Sequence, residues 1–108
     1  MTSIKVVKKN GKIQSLTCQG HTGYGETGED IVCSALSSIV QTALLGLLRV
    51  VGINVTYEIQ DQNGYLYFAL PDVMTKQEEH DADVILTTMW LGIMDLHEGF
   101  SDFIELEE

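Results

Sequence analysis

Residues 20–48 read GHTGYGETGEDIVCSALSSIVQTALLGLL, and the stretch changes character at its middle. Its first part, residues 20–29, carries the glycines Gly20, Gly23, Gly25 and Gly28 and reads as a conformationally permissive loop. Its second part is an apolar run at helical spacing, with Val32, Leu36, Ile39, Ala43 and Leu47 on one broad surface. The spacing predicts a helix over about residues 31–50, with Asp30 as its N-cap and Ile31 as its first helical residue. Gly52 is placed to stop it. Such a helix raises the question of a membrane span. Ser34, Ser37, Ser38, Gln41, Thr42 and Arg49 interrupt it, and a buried central helix is the better reading.

Strand patterns lie on both sides of this helix. Residues 2–9 alternate, with Ile4 and Val6 pointing one way and Lys5 and Val7 the other. Asn10 and Gly11 signal a tight hairpin turn, and residues 12–19 return with Leu16 and Cys18 on one face. Beyond the helix, Val55, Tyr57 and Ile59 alternate with polar residues as in a half-buried strand. Asn63 and Gly64 signal a second hairpin leading into residues 65–70. Tyr57, Tyr65 and Tyr67 are candidates for cross-strand pairing. Thr75 with Glu78 forms a capping box that opens a second helix over about residues 76–98. Its core stripe is Ala82, Ile85, Met89 and Ile93, flanked by Leu86, Trp90 and Leu96, and so wide an apolar surface suggests a partner subunit, with a wide core contact as the plainer reading. His80 reads as a solvated helix residue and His97 as a helix-end cation. Phe100, Phe103, Ile104 and Leu106 predict a short final strand. The expected fold is a single domain over residues 1–108: an α+β two-layer sandwich, mainly antiparallel, with two helices and the order ββαββαβ.

The chemistry concentrates where the loop meets the first helix. With the helix starting at Ile31, Cys33 occupies its third position, beside free backbone N–H groups and the positive end of the helix dipole, where a thiol ionises readily. His21 stands at the start of the loop, and a flexible loop can fold it back over the first turn to complete a Cys–His nucleophile–base pair. Backbone N–H groups there would serve as an oxyanion hole. Asp30 has two competing jobs, capping the helix or orienting the imidazole. Ser37 lies one turn after Cys33 on the same face. Cys18 reads as a small strand-packing residue, with a Cys18–Cys33 disulfide as the alternative. A phosphate loop is disfavoured, because the Gly-Lys-Ser/Thr ending is missing and Glu26 and Glu29 repel phosphate.

The run GHTGYGETGEDIVCSALS, residues 20–37, closely resembles the signature of the ribosomal-processing cysteine protease family, a small bacterial family. That signature joins a GHA-like histidine motif, a glycine-rich loop and a DIVCAAVS-like helix start. The departures are mild: Thr22 where a small Ala is usual, and Ser34, Ala35 and Leu36 after the cysteine. The resemblance implies a cysteine endopeptidase with His21 and Cys33 as its dyad and Asp30 and Ser37 in support. From its own composition, with Gly20, Gly23, Gly25 and Gly28 and no large apolar anchor but Tyr24, the loop is expected to order on the substrate. The resemblance further implies that the substrate is a ribosomal large-subunit protein precursor that loses a short N-terminal extension, and that the enzyme is a homodimer needing no cofactor.

Composition fits this reading. The net charge is −10, and ten acidic residues but no Lys or Arg follow Lys76. Nucleic-acid binding is disfavoured for want of a basic footprint. A basic protein or peptide partner is favoured, with solubility as the plainer role of the acidity. The N-terminal residues read directly as strand and not as a signal peptide. Two cysteines in that setting predict reduced thiols in the cytoplasm. No metal-ligand cluster is visible. The rival functions are a non-catalytic ribosome-assembly or peptide-binding module with an acidic groove, and a thiol redox protein using Cys18 and Cys33.

Overall fold

The computed structural model describes residues 2–20, 27–60 and 64–108, with 27–30 described as backbone alone. Two crossovers build it. Strand β1 (Thr2–Lys9) turns through Asn10 and Gly11 into β2 (Lys12–Gly20). Both turn residues have positive φ, 56° and 79°, as the tight hairpin predicted from this pair requires. From β2 the chain passes through helix α1 (Thr27–Leu45) to β3 (Thr56–Gln60), then reverses into β4 (Tyr65–Ala69). Helix α2 (Lys76–Gly99) leads to β5 (Ile104–Glu107). The sheet order is β3-β4-β2-β1-β5, antiparallel except for the β1–β5 pair at one edge. Strand order and pairing sense make β2–α1–β3 and β4–α2–β5 parallel crossovers, each of which needs a long connection. The two-layer α+β sandwich in the order ββαββαβ is therefore the observed fold.

The core lies between one sheet face and the helices. Ile4, Val6, Leu16, Cys18, Leu66 and Phe68 supply the sheet side, and Val32, Leu36, Val40, Leu47, Leu86 and Ile93 the helix side. The helices run antiparallel to one another: a Cβ on Gly46 would touch Ile85 at 3.3 Å, and one on Gly92 would touch Ile39 at 3.6 Å. The segment Ile31–Val51 is long and apolar enough to cross a membrane. Here its residues Val32, Leu36, Val40, Ala43, Leu44 and Leu47 are buried in this core. The capping box is present as read: Glu78 N–H donates to Thr75 Oγ1 at 3.1 Å, and Thr75 N–H donates to Glu78 Oε1 at 2.9 Å.

Gly52 stops the first helix as expected, and three other expectations need correction. Helix α1 begins at Thr27, so Asp30 is inside the first turn and is not the N-cap. Gly28 does not stop the helix. The last turn, Gly46–Val51, is π-helical, closed by Gly52 with φ 78°. Leu47 O accepts from both Gly52 N–H and Ile53 N–H. Strand β3 is exposed along its whole length and not half-buried, and it is an edge strand of the sheet. Finally, Tyr57 pairs with Phe68, while Tyr65 and Tyr67 pair with Gln60 and Glu58, so Tyr57 lies on the opposite sheet face from the other two.

Candidate active site

Cys33 sits where α1 passes over the ends of β1 and β2. Its Sγ is 2.7 Å from Thr2 Oγ1, at the first residue of β1. Thr2 is itself clamped. It pairs with Gly20 of β2 on one side and Ile104 of β5 on the other, and its N–H donates to Phe103 O at 2.9 Å. Gly20 makes this packing possible, because a Cβ there would come within 2.6 Å of the Thr2 hydroxyl. Gly64 closes the same corner. Its carbonyl accepts from Gly20 N–H at 3.0 Å, its φ is +60°, and a Cβ on it would overlap the Gly20 carbonyl.

These residues line a cavity of about 610 Å³. One wall is the polar flank of α1: Cys33, Ser34, Ser37, Ser38 and Gln41. The opposite wall is the β3–β4 end of the sheet, with Ile59, Tyr65 and Leu66. Ser37 Oγ accepts from Gln41 Nε2 at 2.7 Å, so the serine singled out beside Cys33 belongs to a polar pair on that wall. The cavity can therefore offer a peptide hydrogen-bonding groups on one side and apolar contact on the other.

The two cysteines differ in kind. Both are free thiols. Cys18 is buried, and its burial, with a smaller contribution from the neighbouring Cys33, pushes its thiol up to about 11. It stays protonated at neutral pH and is a packing residue, as its strand position suggested. Cys33 is half-buried and faces the cavity. Its place on the helix differs from the expected one. It is the seventh residue of α1 and not the third, and the dipole's influence is concentrated in the first turn. The helix end therefore lies more than one turn from the thiol.

Of the expected site residues, Cys33, Ser37 and Gly20 meet at this cavity. Gly28 and Asp30 fall in the first turn of α1, described as backbone alone. His21, Gly23, Tyr24 and Gly25 lie outside the described residues. Sequence reading missed Thr2 and Gly64. Thr2 carried no signal beyond its place at a strand start, and Gly64 was read only as a turn residue.

Known families place the chain. The family model described as cysteine protease Prp matches residues 1–105. The chain belongs to the cysteine protease Prp family. Its Prp relatives include the ribosomal processing cysteine protease Prp of Bacillus subtilis, 23% identical over 90 residues, covering 83% of this chain and 80% of the relative. The Prp of Staphylococcus aureus is 27% identical over 100 residues, covering 93% and 91%. The crystal structure of the S. aureus ribosomal processing protease Prp in complex with a substrate peptide superposes with a TM-score of 0.87 at 23% identity, covering the whole of both chains. SMU.848 from Streptococcus mutans superposes at 0.84, with 23% identity, covering 99% of this chain and 92% of that one. These likenesses establish a shared fold, and membership of the Prp family makes the chain a cysteine protease.

Proposed function

We propose that this protease removes a short N-terminal extension from a basic ribosomal large-subunit protein precursor, with Cys33 as nucleophile and His21 as its base. One observation carries the dyad: Gly20, the residue bonded to His21, and the Cys33 thiol both pack against Thr2. Strand β2 therefore ends at Gly20 close to the thiol, and His21 is the next residue in the sequence. In the reaction His21 takes the Cys33 proton, Sγ attacks the scissile carbonyl, and the imidazolium returns the proton to the leaving amine. Water then hydrolyses the thioester. Ser37, tied to Gln41, helps shape the wall along which the peptide lies.

The relatives named as ribosomal processing proteases support the substrate class. The net charge of −10 suits a cationic precursor. A homodimer is part of the same reading, supported by Val84, Leu91 and Met94, which lie exposed along α2. Two free thiols fit a reducing cytoplasm. The test is cleavage of such a precursor by wild type, Cys33→Ala and His21→Ala: both variants should fold and neither should cleave.

A further inference from the structure

We propose that Thr2 is the residue that orients the Cys33 thiol and holds its thiolate, with Oγ1 as the donor. This rests on the reading of Cys33 as the nucleophile. The observation is the 2.7 Å contact between Thr2 Oγ1 and Cys33 Sγ across the corner of the cavity. While the cysteine carries its proton, either atom can donate. Once that proton has gone to the base, only the hydroxyl can donate, because a thiolate has no hydrogen. The bond then becomes charge-assisted and favours the ionised form. The threonine keeps its own proton throughout and takes no part in bond breaking.

Three features make Thr2 suited to this. It is 2% exposed, so bulk water does not compete for its hydroxyl. Its backbone is fixed by strands on both sides and by the bond to Phe103 O, so the hydroxyl costs little entropy to aim. Gly20 leaves the space in which Oγ1 sits. The role also supplies what the helix start does not, since Cys33 lies well beyond the first turn of α1. Among the described residues on the cavity wall, Cys18 and Tyr65 are the other titratable groups. Neither is positively charged, so neither offers the thiolate a countercharge.

The experiment compares the iodoacetamide alkylation rate of Cys33 in wild type, Thr2→Val and Thr2→Ser from neutral to alkaline pH, with far-UV circular dichroism and thermal unfolding to check folding. Valine keeps the branched shape and removes the hydroxyl. Serine keeps the hydroxyl and removes the methyl. Thr2→Val should alkylate about tenfold more slowly at neutral pH, the lower end for a hydrogen bond to a charged group at a half-exposed site. The difference should close at alkaline pH, where the thiol ionises unaided. Thr2→Ser should stay within about threefold of wild type. Thr2→Ala is the second hydroxyl-free variant should valine disturb the corner. A folded hydroxyl-free variant that alkylates at the wild-type rate overturns the proposal, as does a serine variant as slow as the valine one. Alkylation reads the thiol without proteolysis, so cleavage by Cys33→Ala would overturn the protease dyad and leave this readout intact.

Discussion

Gly64→Ala offers a quantitative test of how the cavity corner is built. The methyl group faces two obstacles. Its backbone has φ +60°, which disfavours an L side chain by about 1–2 kcal/mol. It would also overlap the carbonyl oxygen of Gly20, a backbone atom held in β2, and cannot be relieved by a rotamer change. Forcing an extra methyl into such a contact costs about 1–3 kcal/mol. The two together give about 2–5 kcal/mol, a large share of the 5–15 kcal/mol by which a domain is stable. At about 4 °C per kcal/mol for a domain of this size, Tm should fall by roughly 8–20 °C. Gly11→Ala is the control. Its φ is +79°, but nothing lies within 4 Å of its missing Cβ, so only the strain applies. That variant should lose about 4–8 °C. Differential scanning calorimetry of the two variants decides the matter. A Gly64→Ala protein that loses no more than Gly11→Ala would refute the close approach of Gly64 to Gly20. If the corner is as described, Gly64→Ala should also lose turnover well below its melting temperature, because moving Gly20 moves the packing around Thr2 and Cys33.

Three further outcomes follow from charge. Cys33 should be alkylated before Cys18 throughout neutral pH, since burial holds the Cys18 thiol protonated up to about 11. The same shift has a stability consequence: the folded state holds the Cys18 proton more tightly than the unfolded chain, so stability should decline from about pH 9 to 11, and Cys18→Ala should lose that slope while retaining turnover. The kcat/KM on a full-length basic precursor should fall as salt rises, whereas a short neutral peptide spanning the same cleavage site should respond weakly. Equal salt slopes would assign the acidity to solubility alone.

Much of the fold is legible because each element carries its own signal. Asn10 and Gly11 fix a hairpin whose positive φ angles few other pairs tolerate, and Thr75 with Glu78 fixes the start of α2 within a residue. The less legible features depend on partners remote in sequence. Tyr57 and Ile59 alternate as a buried strand would, but which strand lies at the edge is decided by the order of the sheet, and here β3 is that edge and is exposed throughout. The start of α1 slipped because Asp30 is a good cap and Gly28 a poor helix former, yet neither preference is worth more than about 1 kcal/mol. In the site, Cys33 stood out by motif. Thr2 could not, since its role comes from β1 lying beside the end of β2, thirty-one residues from Cys33 along the chain.

In the proposed reaction Cys33 performs the proteolysis with His21 as its base. Mass spectrometry of a basic ribosomal large-subunit precursor, incubated with wild type, Cys33→Ala and His21→Ala, measures it most directly. Wild type should yield one product shortened at its N-terminus, and acid quenching early in the reaction should capture the acyl fragment as a thioester on Cys33. Both variants should leave the precursor intact while keeping wild-type circular dichroism. Trimming at the wild-type rate by a folded Cys33→Ala protein, or an acyl fragment found on Cys18, would contradict the account.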